Sequence, residues 1–244
     1  MKALVVGASA GVGRALTEAL AKRGDDLLIV ASNKDDLEAQ AAHLRLLFGV
    51  QVKTIATDAN RPTECLESIK AVANVFGHID EIFFPIGSSR SDDRSTLSLE
   101  ETIHLFNSNL IIVIGLIGHF LPRLITSGHG NIVGFSSVAA VRGRRANIVY
   151  AAAKRGLESY FESLRHLASQ TGVHVQLYRL GYVTTQQSFA HKLLFPSVTP
   201  VRVAETVVSN LGRKQGLIYY PHYWAFICYV VLTLPWFLFK RLDF

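Results

Sequence analysis

The sequence predicts an α/β fold: a mostly parallel, doubly wound sheet with helices on both faces, built as a single domain and followed by an apolar C-terminal tail. Three observations carry this reading. Short apolar runs alternate with amphipathic helical segments. A glycine-rich turn joins the first run to the first helix. No Asp, Glu, Lys or Arg occurs between Gln215 and Phe239. The 244 residues are enough for one full core and few for two, so the expected division is a domain over 1–214 and a tail over 215–244.

Each element has its own signal. Residues 3–6, "ALVV", form an apolar run that ends in the turn "GASAGVG". "RALTEALAKRG" then has helical apolar spacing and stops at Gly24. "DLLIVAS" reads as a buried strand, "KDDLEAQAAHLRLLFG" as a helix, "VQVKTIATD" as a strand, and "RPTECLESIKAVANVFG" as a helix with Pro62 in its first turn. "IDEIFFPIG" is a fourth strand and "LEETIHLFNSNLIIVIGLIGHFLPRLI" a long helix. "GNIVGFSS", a helix from Tyr150 to about Gly172, and "VHVQLYRLG" supply the fifth strand, its helix and the sixth strand. The part of the long helix reading "NLIIVIGLIGHFLP" is apolar nearly all round, which places it in a buried or subunit-packed position; that part falls short of the roughly 20 residues of a membrane span.

Composition narrows the function classes. The chain is 49% hydrophobic and 18% charged, against about a quarter charged in an ordinary soluble domain. Mean hydropathy is +0.26, so part of the surface is expected to face something other than water. A net charge of +6 admits nucleic acid, an anionic membrane or an acidic substrate. The basic residues are scattered except at Arg142–Arg145 and no nucleic-acid motif occurs, so nucleic acid is not an expected partner. Two cysteines, Cys65 and Cys228, without CxxC or a histidine grouping, give no disulfide framework and no expected metal site. "MKALVVGASAGVG" mimics a secretory signal, but its apolar run is too short. A cytoplasmic location is expected, peripheral or monotopic at the inner face of the cell membrane.

The first turn has the chemistry of a dinucleotide site. Gly7, Gly11 and Gly13 form G-x3-G-x-G directly after a strand and at the opening of a helix. There glycine lets the backbone approach a pyrophosphate, and the helix N-terminus supplies free N–H groups. Ser9 and Val12 lie within the same loop. An NAD-preferring site places an acid at the end of the second strand. Here that strand ends Ala31-Ser32-Asn33-Lys34, with no acid before Asp35. Ser32, Asn33 and Lys34 therefore leave room for a 2′-phosphate, and NADPH is favoured over NADH.

The stretch "GFSSVAAVRGRRANIVYAAAKRG", residues 134–156, carries the reaction. Tyr150 and Lys154 are four apart on one helix face. A neighbouring ammonium favours the phenolate and lowers a tyrosine pKa from near 10. Tyr150 would then donate a proton to a ketone oxygen as hydride reaches carbon, with Ser137 hydrogen-bonded to that oxygen.

On these residues the chain resembles the short-chain dehydrogenase/reductase family over residues 1 to about 215, which implies a Rossmann-like fold and NAD(P)H chemistry. The family's glycine loop falls on Gly7, Gly11 and Gly13, its Y-x3-K pair on Tyr150 and Lys154, and its serine on Ser137, 13 residues before the tyrosine. The resemblance further implies Asn109 as the helix asparagine of the proton relay and Asp58, with Ala59, at the adenine. It implies Gly87 beside the cofactor, Lys154 also as a ribose ligand, and Gly181, Val183 and Thr185 flanking the nicotinamide. The chain departs from the family pattern at Val6, at "FPIG" and at Leu180. A homodimer or homotetramer is the implied assembly.

Two features bear on the substrate. Arg142, Arg144 and Arg145 lie between the serine and the tyrosine, on the substrate side of such sites, and arginine's planar fork suits phosphate. A solvated loop or a subunit contact is the alternative. In the tail, "YYPHYWAFICYVVLTLPWFLF" is interrupted by Pro221 and Pro235, which leave 13 residues between them, about 20 Å of helix against a core of about 30 Å. A shallow membrane insertion is expected, with Trp224, Trp236 and tyrosines at the interface; packing on its own subunit or a dimer partner is the alternative. "RRANIVY" and the proline-bearing tail moreover resemble the decaprenylphosphoryl-2-keto-pentose reductases. That resemblance implies a polyprenyl-phosphate-linked 2-keto sugar as substrate and a flavin-dependent oxidase as a partner in epimerisation. The competing expectations are a 3-ketosphinganine or long-chain ketoacyl lipid reductase and a catalytically silent NAD(P)-sensing binding protein.

Overall fold

Strand β1 (Lys2–Val6) lies near the middle of a seven-stranded sheet, with Ala3 to Val6 wholly buried because helices cover both faces. The computed structural model describes residues 1–94, 96–184, 195–213 and 216–242. Chain order runs β1, α1 (Gly11–Lys22), β2 (Asp26–Ala31), α2 (Lys34–Phe48), β3 (Val52–Ala56), α3 (Pro62–Phe76) and β4 (Glu81–Phe84). It continues with α4 (Leu99–Phe106), α5 (Ile112–Ser127), β5 (Gly130–Ser137), α6 (Ile148–Leu167) and β6 (Val173–Leu180). The last elements are α7 (Pro200–Asn210), β7 (Gly216–Tyr220), α8 (Trp224–Thr233) and α9 (Trp236–Phe239).

All strand pairs are parallel, in the order β3-β2-β1-β4-β5-β6-β7. Helices α1, α2 and α7 pack on one face, through Leu16, Leu20, Leu37 and Val203. Helices α3, α5 and α6 pack on the other, through Ile69, Leu116, Phe120 and Phe161. The strand order reverses between β1 and β4, and the crevice beyond their carboxyl ends is the place where this class of sheet binds ligands. The glycine loop after β1 and the "PIG" turn after β4 meet there.

The long helix is α4 and α5 joined by a π-helical turn at Asn107–Ile111. Its 29 residues, Leu99–Ser127, make it the one helix among the described residues long and apolar enough to cross a membrane. Ile112, Val113, Leu116, Ile117, Phe120 and Leu124 are nevertheless in the core against the sheet. The extra residue of the π turn rotates the helix at Asn109 and turns that side chain toward the crevice.

Three corrections concern the chain's end. The tail does not begin at residue 215: Gly216–Tyr220 is β7, paired with Gln176–Leu180 of β6, so the uncharged stretch from Pro221 onward is the part outside the sheet. A strand buried by pairing and a lipid-facing segment look alike in composition. Helix α7, absent from the sequence reading, packs against α1. Trp224, expected at a membrane interface, is only 5% exposed and joins Val141 and Cys228 in a small core of its own. The tail therefore packs on its own chain along one side. Its other side is open, with Phe226 at 72%, Tyr229 at 66% and Trp236 at 67% exposure.

Candidate active site

The glycine loop turns under the carbonyl of Val30, which accepts from the N–H groups of Gly7 and Ala8 at 2.8 and 3.0 Å. Gly7 has φ +95°, and a Cβ on Gly13 would lie 1.9 Å from the Gly7 carbonyl oxygen. Only hydrogen fits at that contact. Helix α1 has no side-chain cap at Ala10 and no acid in its first turn. Its N-terminal N–H groups and dipole thus face the loop mouth and fit a pyrophosphate. Ser9 is half-buried and its carbonyl accepts from Arg14 Nε at 2.9 Å, while Val12 packs on the α1-side core. Arg14 is a second cation beside the loop that the sequence reading passed over.

Ser32 and Lys34 are exposed at the end of β2. Asn33 is committed elsewhere: its side chain caps α2 by accepting from Asp36 N at 3.1 Å. Asp58 is exposed beyond β3 and accepts from Asn60 N at 2.9 Å, with Ala59 packed against the core. Ser137, the last residue of β5, pairs with Leu180, so Gly181 emerges beside it. Val183 bridges to Val198. Thr185 lies outside the described residues.

The side chains expected to carry the reaction meet beyond the ends of β4 and β5. Tyr150, on the first turn of α6, has its phenol beside the Ser137 side chain. Lys154, one turn on, is 4% exposed, and its Nζ donates to the carbonyls of Phe135 at 3.0 Å and Ile86 at 3.4 Å. Asn109 Nδ2 donates to the carbonyls of Ser88 and Leu105, both at 2.9 Å. Its Oδ1 is buried with no partner among the described residues. A Cβ on Gly87 would sit 2.6 Å from that Oδ1 and 3.0 Å from Lys154 Nζ. Gly87 is therefore the residue that lets the β4 turn close over both groups. An orphaned buried acceptor beside an ammonium is a site for a water or a hydroxyl.

The electrostatics differ from expectation. Burial pushes the Tyr150 phenol above its ordinary value of 10.0; the neighbouring Ser137 side chain and the Arg144 charge pull it back down. Lys154 Nζ sits 5.9 Å from the Tyr150 ring centre, while its hydrogen bonds go to the carbonyls of Phe135 and Ile86. Burial lowers the Lys154 ammonium from 10.5 to about 8. Sequence adjacency on the helix face placed the two groups together but did not reveal that carbonyls at the strand ends hold the ammonium.

The three arginines separate. Arg142 turns away from the reacting groups: its Nη1 donates to the carbonyls of Val231 and Leu234, each at 2.6 Å, and its guanidinium lies over the Phe239 ring. Arg145 donates to the carbonyl of Lys240 at 3.0 Å. These two fasten the tail, because the last carbonyls of a short helix need donors. Arg144 alone neighbours the reacting groups. Burial lowers its pKa, and the nearby Tyr182 and Tyr150 oppose that shift. The tail supplies a wall that sequence adjacency could not predict: Trp224 packs edge-on to Tyr182 at 5.2 Å, and a Cβ on Gly181 would strike its indole nitrogen.

A crevice with an uncapped helix N-terminus, a glycine cradle and a Ser, Tyr, Lys and Asn set defines a dinucleotide-dependent oxidoreductase. Residues 1–191 match the short chain dehydrogenase family, and the chain belongs to that family, whose cofactor is NAD(P)H. It is 28% identical over 242 residues to an uncharacterized oxidoreductase of Mycobacterium tuberculosis, covering 98% of this chain and 96% of that one. It is 28% identical over 216 residues to the ketoacyl reductase HetN of Nostoc sp., covering 86% of this chain and 75% of that one. The solved structure of a 7beta-hydroxysteroid dehydrogenase superimposes with TM-score 0.89 at 18% identity, over 98% of this chain and 95% of the other.

Proposed function

We propose that this oxidoreductase reduces a ketone carried on a membrane-borne lipid substrate. The observation that carries the reaction is the Ser137 side chain beside the Tyr150 phenol, next to the buried Lys154. Gly7, Gly11 and Gly13 would seat NAD(P)H, which when bound would supply the hydride. Ser137 holds the ketone oxygen, and Tyr150 gives it a proton from the same side. Lys154 keeps positive charge near that proton transfer and, with Asn109 Oδ1, binds the hydroxyl or water that reprotonates the tyrosine. NADPH is the favoured form because Ser32 and Lys34 stand exposed where an acid would repel a 2′-phosphate.

The lipid reading rests on the open side of the tail. Phe226, Tyr229, Trp236 and Phe237 face outward, with Lys240 and Arg241 exposed beside them. Aromatics flanked by cations suit the interface of an anionic bilayer. The opposite side of the same segment walls the site, so a substrate leaving the bilayer would enter past Trp224. The enzyme then works at the inner face of the membrane. The outward stripe of Leu99, Ile103 and Ile111 on the long helix supports a homo-oligomer.

Arg144 beside Tyr150 supports an anionic headgroup, of which a polyprenyl-phosphate-linked 2-keto sugar is the specific candidate, made by a flavin-dependent oxidase acting first. A second reading, a long-chain ketoacyl or 3-ketosphinganine lipid, is favoured by the commitment of Arg142 and Arg145 to the tail and by the name of the Nostoc relative. Steady-state reduction by Arg144→Gln separates them. A phosphate-bearing ketone should lose about tenfold or more in kcat/KM and a neutral keto-lipid little. Equal losses on both would remove the anionic headgroup from the account.

A further inference from the structure

Helix α6 carries Tyr150 in its first turn and begins without a local cap. Asn147, at the N-cap position, is in the left-handed region with φ 56°, and its side chain makes no capping hydrogen bond. A helix start with three unsatisfied N–H groups, beside a reactive tyrosine, would fray. All three are met from 55 residues upstream. Asp93 is 1% exposed. Its Oδ1 accepts from Val149 N at 3.0 Å and its Oδ2 from Tyr150 N at 2.9 Å. Its own carbonyl accepts from Ile148 N at 3.4 Å.

We infer that Asp93 is the positioning residue of the reaction: it caps the catalytic helix from the loop after β4 and thereby fixes where the Tyr150 hydroxyl stands relative to Ser137. The carboxylate also faces the positive end of the helix dipole, where negative charge is stabilising. The same loop begins at Gly87, packed on Asn109 and Lys154. It is braced by Arg90, which pairs with Asp92 and Glu101, each at 2.8 Å. One loop therefore sets both ends of the proton path, the tyrosine at one and the lysine and asparagine at the other. Displacement of a reacting group by about 1 Å can cost about a hundredfold in rate, so an anchor on the backbone nitrogen of Tyr150 acts on turnover without touching substrate.

The inference rests on Tyr150 as the proton donor, and the test separates the two. In the full-length protein, Asp93→Asn keeps the shape and one acceptor but loses the second. Its kcat should fall about ten- to a hundredfold, while the NADPH dissociation constant, read by fluorescence titration, stays within about twofold. Amide exchange at Ile148, Val149 and Tyr150 should accelerate while β1 and β4 keep their protection. Asp93→Glu, which retains the charge but displaces the carboxylate, should also lose kcat and serves if the asparagine variant does not fold. Normal kcat in both folded variants, or losses in kcat and cofactor affinity of equal size, would overturn the role of Asp93. Near-normal turnover by Tyr150→Phe would instead overturn the reading on which it rests.

Discussion

The guanidinium of Arg142 lies 3.9 Å from the centre of the Phe239 ring, joining the loop between Ser137 and Tyr150 to the last helix of the chain. With its two hydrogen bonds to the end of α8, Arg142 makes the tail one wall of the site. Arg142→Met should loosen that wall. The expected outcome is a rise in substrate KM with cofactor affinity unchanged, faster proteolytic cleavage within the tail beyond Pro221, and a loss of about 1–3 kcal/mol in the stability of the tail packing. Limited proteolysis and steady-state kinetics on the same preparation read both effects.

The pH dependence follows from Lys154. Its ammonium, lowered to about 8 by burial, is the form that supports proton transfer, so kcat/KM for reduction should fall as pH rises through about 8. Because the folded value lies below the unfolded one, burying the charged form costs stability. The cost is fully present below about pH 8 and disappears as pH rises toward the unfolded value, the reverse of a lysine that gains a partner. Lys154→Met should remove this rise in stability between those limits, as read by denaturant unfolding across the alkaline range.

The contact of Gly13 with the Gly7 carbonyl makes a steric prediction. Gly13→Ala introduces a Cβ where 1.9 Å is available, and the contacting atom is backbone. The loop must move, and NADPH affinity should drop by about tenfold or more in a binding titration, with the thermal unfolding midpoint lowered as well.

The open face of the tail predicts membrane binding. Full-length protein should float with vesicles containing anionic lipid, and the double variant Phe226→Ser, Trp236→Ser should not, since both rings are mostly exposed. Unchanged flotation of the double variant would remove this face from the membrane account.

Much of the fold was legible in the chain because its signals are local. The apolar run and glycines of residues 3–13 specify a strand, a turn and a helix start within one short window, and the i,i+4 spacing of Tyr150 and Lys154 places both on one helix face. What the sequence concealed was assembled over long distances. Arg142 reads as a free cation until β6, β7 and α8 bring the carbonyls of Val231 and Leu234 beneath it. Asp93 sits in a polar run, "SSRSDDRS", that reads as solvated loop, and only the adjacency of β4 and β5 carries it to the start of α6. The strand Gly216–Tyr220 reads as tail in the sequence because lack of charge marks burial of either kind.

The most direct test of the central claim is a single turnover with full-length protein, NADPH and a ketone-bearing lipid in vesicles, following cofactor absorbance and lipid mass together. The wild-type protein should convert ketone to alcohol with one NADPH consumed per alcohol formed. Tyr150→Phe should bind NADPH normally and lose about a hundredfold to ten-thousandfold in rate. Reduction at an undiminished rate by Tyr150→Phe, or NADPH bound by the wild-type protein with no ketone in a broad lipid panel reduced, would contradict it.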